Sequence, residues 1–134
     1  MAAAAFRIAA LALLSAGCTS IAADRHTFDG TTWRVTAVDG RATPTSGNYS
    51  LSFSGGNLGA RFGCNHIGGR YTVAGETLTA TEVQSTLMGC PEPASTFERE
   101  GLAVLGSPMR MNWASGNRLA LSNAAGSIAL ERTG

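Results

Sequence analysis

Lysine is absent from the 134-residue sequence, so all ten basic residues are arginines. That absence removes the phosphate-cradling lysine of a Walker loop and the Ser-x-x-Lys hydrolase pair. Charge of any kind is scarce, at 14% of residues, and nine acids against ten bases leave no broad positive field for a nucleic-acid backbone. No nucleic-acid partner is expected. Four prolines are too few for a disordered linker protein. The apolar run Ile8 to Leu14 is too short for a finished transmembrane helix, which takes about 20 apolar residues. No Gly-x-Ser-x-Gly elbow and no Cys-x-x-Cys pair occur. What is plentiful is glycine, 17 residues, with many Ser, Thr and Ala and only 7% aromatics. This composition describes one domain of short strands and tight turns rather than a helical bundle.

The first residues read as an address. Arg7 precedes the apolar run, which has the length of the hydrophobic region of an export signal. Leu14-Ser15-Ala16-Gly17-Cys18 follows and resembles the lipobox of bacterial lipoproteins. The resemblance implies a signal peptide over 1–17, a diacylglycerol on the Cys18 thiol, and Cys18 as the first mature residue. The acyl chains would then hold the domain on the membrane. Thr19 stands where Asp would signal inner-membrane retention, so the implied destination is the outer membrane, facing the periplasm. Cleavage near Ala23, releasing a soluble secreted protein, is the alternative. Loss of residues 1–17 removes Arg7 and leaves a formally neutral chain.

Residues 18–30 are polar and unpatterned, as expected of a tether. From Thr31 onward apolar residues recur with period two. Trp33, Val35 and Ala37 mark one face of a first strand ending at Asp39-Gly40, a strong turn signal. Leu51 and Phe53, then Ala60, Phe62 and Cys64, continue the pattern across Gly55-Gly56-Asn57, and Tyr71, Val73 and Leu78 follow. Met109, Met111 and Trp113 lead into Leu119, Leu121, Ile128 and Leu130, a three-stranded antiparallel meander. One segment breaks the rhythm. Ser95-Thr96-Phe97-Glu98 fits a capping box, with Phe97, Leu102 and Leu105 on a buried helix face and Gly106-Ser107-Pro108 as the stop. Gly101 inside that helix costs roughly 1 kcal/mol against alanine, so the helix depends on packing. The expected fold class is α+β, mainly antiparallel β: a small open (cracked) barrel of about eight strands with one helix lying against or plugging the gap.

Two cysteines remain once Cys18 is assigned to lipid. In an exported domain Cys64 and Cys90 most simply form one disulfide. The rival is a metal site that would add His66 to the two thiolates, but no fourth Cys or His lies nearby in sequence. Neither a metal nor a cofactor is therefore expected.

Around these cysteines the chain resembles the META domain family of HslJ-like heat-shock lipoproteins, also called DUF306. The motifs are Gly63-Cys64-Asn65 with Gly69 and Tyr71, and Thr86-Leu87-Met88-Gly89-Cys90, with 25 residues between the cysteines. Trp33 and the closing Leu-rich hairpin extend the similarity over residues 31–132. Gly101 departs from the family, which tends to place a bulky residue there, and so does Gly89, where alanine is common. The resemblance implies a small α+β domain with a cracked-barrel sheet, comparable with secretin-pilot lipoproteins. It implies a part in envelope stress or antibiotic tolerance and no established reaction.

The motif residues also have plain physical readings. Gly63 and Gly69 meet backbone demands that a Cβ would forbid. Asn65 bonds local backbone in its turn, Tyr71 is a core aromatic with its hydroxyl at the rim, and Thr86 and Met88 are strand residues. Met109, Met111 and Trp113 are candidates for an apolar pocket, because thioethers beside an aromatic adapt to varied ligands; ordinary core filling is the competing reading. No catalytic residue is assigned. His66 is the sole imidazole in the patterned region, and a weak periplasmic hydrolase built on it is the alternative to a non-enzymatic module that binds an envelope protein or an apolar small molecule.

Overall fold

The computed structural model describes residues 28–134. The signal peptide, Cys18 and most of the tether lie outside the described residues. Nine strands and one helix follow: β1 Thr31–Val38, β2 Arg41–Ala42, β3 Tyr49–Ser54, β4 Asn57–Phe62, β5 His66–Ala74, β6 Thr77–Ser85, α1 Ala94–Leu105, β7 Met109–Ser115, β8 Arg118–Asn123 and β9 Gly126–Arg132. Strands β1 and β3 to β9 pair antiparallel in chain order, while β2 hooks back onto β1 at Ala37↔Ala42 and Val38↔Arg41.

The barrel is closed, not cracked open. Strand β9 pairs with β1 from Trp33↔Arg132 to Val38↔Ile128, which joins the last strand to the first and makes an eight-stranded barrel. Closure satisfies the backbone groups that two free edges would expose. The shortest seam is β6–β7, paired at Thr77↔Arg110 and Leu78↔Met109. Helix α1 does not plug a gap. It packs against β1, β4 and β9, and Asn123 Nδ2, at the β8–β9 turn, donates to the carbonyls of Val104 (2.8 Å) and Ser107 (3.3 Å).

Alternation holds along most strands. Leu51 and Phe53, Leu58, Ala60 and Phe62, and Leu119, Leu121, Ile128 and Leu130 all face the core. A bulge between Val35 and Ala37 shifts the phase of β1, so Val38 rather than Ala37 turns inward. At the end away from the helix, Phe28 is buried among Phe53 (ring centroids 4.9 Å apart), Trp113 (5.8 Å) and Trp33 (6.2 Å). Asp29 accepts from the Gly56 amide (3.1 Å) and from the Tyr71 hydroxyl. Residues 28–30, assigned above to the tether, therefore belong to the domain. A lone phenylalanine in a polar stretch carries no periodicity that would reveal this.

The helix begins differently from the capping-box expectation. Pro93 occupies the N-cap with no side-chain cap, and the Glu92 carboxylate accepts from Thr96 N (3.2 Å) and Oγ1 (2.7 Å). The Thr96 hydroxyl holds the Glu92 carboxyl below its usual range. Glu98 is thereby free for a contact outside the helix. The buried face is Ala94, Phe97, Gly101, Val104 and Leu105, with Leu102 only partly covered. Arg41 pairs with Glu100 and lays its guanidinium 5.4 Å from the Phe97 ring centroid.

Gly101 has a packing reason. A Cβ there would overlap the edge of the Phe62 ring, which is wholly buried. The ring fills the volume that a bulky helix residue would take. Gly101→Ala gains roughly 1 kcal/mol of helix propensity but forces an overpacked core, which costs about 1–3 kcal/mol. A net loss is expected, read as a lower midpoint in thermal unfolding followed by circular dichroism. A higher midpoint would show that Phe62 yields freely.

Candidate functional site

The two sequence motifs meet on one side of the barrel. Cys64, just past β4, is bonded to Cys90, 26 positions later and ahead of α1. With both sulfurs joined, the thiolates needed by the metal reading are used up. Among the described residues no group of three His, Cys, Asp or Glu side chains is placed to hold a metal ion.

Asn65 lies beside this bridge, 3% exposed. It does not bond its own turn. Its side-chain amide behaves like a strand partner for Met88: Oδ1 accepts from Met88 N (2.7 Å) and Nδ2 donates to Met88 O (3.2 Å). The Thr86 hydroxyl donates to the same Oδ1 (2.9 Å) and accepts from His66 N (3.0 Å), while Thr86 N donates to His66 O (3.0 Å). Glu98 reaches out of α1 to complete the cluster. Its Oε1 accepts from Asn65 N (3.0 Å) and its Oε2 from Asn65 Nδ2 (2.8 Å). One buried amide thus ties the segment after β4, the segment after β6 and the helix together.

Glycines permit the approach. Gly63 has φ +95°, and a Cβ there would stand 2.7 Å from the Tyr49 ring and 2.9 Å from Ala94. A Cβ at Gly69 would meet the Thr81 carbonyl at 2.8 Å, inside a β5–β6 irregularity where Glu82 adopts φ +53°. Gly89, by contrast, has open space around it. Tyr71 keeps its ring in the core and donates its hydroxyl to Asp29.

The consequence is a fixed loop with an apolar tip. Strand β6 ends at Ser85, so Thr86 and Met88 are loop residues and not the strand residues expected. Leu87 is 95% exposed and Met88 55%. A leucine so bare is unusual on a segment so thoroughly bonded. Of the pocket candidates, Met109 and Met111 are core residues, and Trp113 is 44% exposed with its ring against Phe28 and Trp33. None of the three lines either cleft beside His66. His66 is exposed and borders two open clefts, one of about 900 Å³ beside β6 and one of about 300 Å³ over β3 and β4. Sequence reading missed the contact of Glu98 with Asn65, since Glu98 also fits a cap, and the exposure of Leu87, a motif residue with no assigned face, although an apolar pair outside any alternation is a usable signal.

In a comparison against protein families the META domain matches residues 26–132, a span that contains the disulfide, Asn65 and every strand of the barrel. The chain belongs to the META domain family. No curated protein matches it. Two solved NMR structures share the fold of this META domain. One has a TM-score of 0.70 at 18% identity, covering 80% of this chain and 92% of its own. The other, from Burkholderia xenovorans, has a TM-score of 0.67 at 19% identity, covering 81% and 86%.

Proposed function

We propose that this META domain is a non-enzymatic binding module of the bacterial cell envelope, anchored by lipid at Cys18, that docks an envelope protein through Leu87 and Met88 and contributes to stress or antibiotic tolerance. The observation that carries the reading is the clamped loop. Binding costs ordering entropy, and a tip already held by Asn65, Thr86 and the disulfide has little left to lose. Its shape selects the partner class: a protruding leucine needs a recess on the other molecule, which a protein supplies and a small apolar molecule does not. In this reading the Cys18 lipid supplies the membrane attachment. The alternative is a hydrolase using His66. No side chain among the described residues hydrogen-bonds its imidazole, and catalytic bases are held by such an orienting bond.

A photo-crosslinker placed at position 87 in native membranes is expected to capture one protein, identified by mass spectrometry, that the same label at Thr72 on β5 does not. With the label moved to Gly89, which has open space around it, Leu87→Asp should abolish that capture with the unfolding midpoint unchanged, since the Leu87 side chain touches solvent. Equal capture from both positions would sink the docking surface. Mass spectrometry of the mature chain reads the Cys18 lipid directly.

A further inference from the structure

A second surface begins at His66, whose backbone anchors Thr86, and runs from there across β5, β4, β3 and β1. On the outside of the barrel, cross-strand neighbours form a row: Arg34 faces Ser50, Ser50 faces Arg61, and Arg61 faces His66. In the other direction Arg34 faces Glu131, which in turn faces Arg118. The one carboxylate in this row stands between two arginines at its far end. Arg61 and His66 have none beside them.

The adjacent outward row is Thr32, Ser52, Gly59 and Gly68. Side chains there are small or missing; a Cβ on Gly59 would come within 2.7 Å of Ser52 Oγ. The two rows enclose the cleft of about 300 Å³, whose lining includes Thr32, Asn48, Ser52, Arg61 and His66 and no Asp or Glu. Arg61 lines this cleft, and its Nε is buried. Among the described residues it is the sole buried side-chain polar atom without a hydrogen-bond partner. Arg41 and Arg110 each pair with a glutamate, while Arg34, Arg70, Arg99 and Arg118 form no ion pair among the described residues; Arg61 differs from these in the burial of its Nε. A shielded guanidinium donor with no acceptor calls for one from outside.

We infer that this cleft binds a phosphate monoester on a polar, hydroxyl-bearing body, with the phosphate at Arg61 and His66. The guanidinium fork matches phosphate oxygens, and the volume exceeds one phosphate group. The Thr32 and Ser52 hydroxyls and the Asn48 amide offer partners to the hydroxyls of a sugar or glycerol moiety. Acyl chains find no lodging among these side chains.

The test titrates the full-length protein, in a non-ionic detergent, with inorganic phosphate, a hexose phosphate and the unphosphorylated hexose, following amide shifts by NMR. Saturable shifts at Ser52, Gly59, Arg61 and His66 are expected with the hexose phosphate, weaker ones with phosphate, and none with the hexose. Arg61→Ala should raise Kd at least about tenfold, whereas Arg110→Ala, whose partner is Glu76, should not change it. Ser52→Glu, on an exposed position, places a carboxylate in the cleft and should abolish binding even if Arg61→Ala fails to fold. Co-sedimentation with phosphatidylcholine vesicles, with and without phosphatidic acid, separates the sources. Binding only with phosphatidic acid assigns a lipid headgroup, and saturable shifts without vesicle binding assign a soluble ester. Shifts scattered over the barrel, or equal losses in the Arg61 and Arg110 variants, would overturn the site.

Discussion

Asn65→Asp is expected to remove about 3–5 kcal/mol of stability, against a total of roughly 5–15 kcal/mol for a domain of this size. The substitution changes one atom and almost no volume. An aspartate keeps the oxygen that accepts from Met88 N and Thr86, but its second oxygen replaces Nδ2. That oxygen then faces the Met88 carbonyl and Glu98 Oε2, which Nδ2 holds at 3.2 and 2.8 Å. Two carboxylates at hydrogen-bond distance, one of them 3% exposed, repel with little water between them. Asn65→Ala loses the hydrogen bonds without adding the charge and should cost about 2–3 kcal/mol. Urea unfolding of the pair decides the matter: equal losses would mean that Glu98 does not act on Asn65. In acid the aspartate deficit should shrink, because a proton shared between the carboxyls turns repulsion into a hydrogen bond. Amide exchange in the 86–90 loop should rise in both variants, and partner capture at Leu87 should fall with it.

Replacing Cys64 and Cys90 together by alanine is expected to cost about 3.5 kcal/mol, from freeing a 26-residue span in the unfolded chain. For a domain of about 100 residues this lowers the unfolding midpoint by on the order of 15 °C. The bridge and Asn65 hold the same loop. Their effects should therefore not add: combining Asn65→Ala with the cysteine replacements should lose less than the sum, because a loop already released has no geometry left for the amide to defend. Strict additivity in the double-mutant cycle would show that the two devices act on separate parts of the molecule. Leu87 exposure makes the functional readout independent of stability, since the free loop still carries its leucine but no longer presents it in one place.

Period-two patterning made most of the strands legible, because alternation is a property of neighbouring residues. Leu51 and Phe53, Met109 and Met111, and the Leu119 to Leu130 hairpin lie in β3, β7, β8 and β9 as that pattern requires. Trp113 continues the phase of β7 but lies at the rim, where the strand outruns the core. The family likewise follows from residues, since the motif around Cys64 and that around Cys90 keep their order and distance. Barrel closure was not legible. Whether β1 meets β9 depends on tilt and register summed over eight strands, and no local window contains that sum. The helix start was misread for a related reason. Glu98 satisfies the capping-box spacing, yet Asn65, 33 positions away, offers its carboxylate two donors, while Glu92 takes the Thr96 amide.

By itself the sequence determined most of the strands, where their turns fall and which two cysteines are left to pair in an exported domain, because hydrophobic rhythm, Asp-Gly turns and cysteine count are written residue by residue. Only the tertiary structure decided that the sheet closes, that Phe62 fills the place of a missing side chain at Gly101, and that Asn65 holds Leu87 out in solvent. Each of these is a contact between residues far apart in the chain. Its energy depends on shape and hydrogen-bond geometry that exist only once the whole barrel has formed.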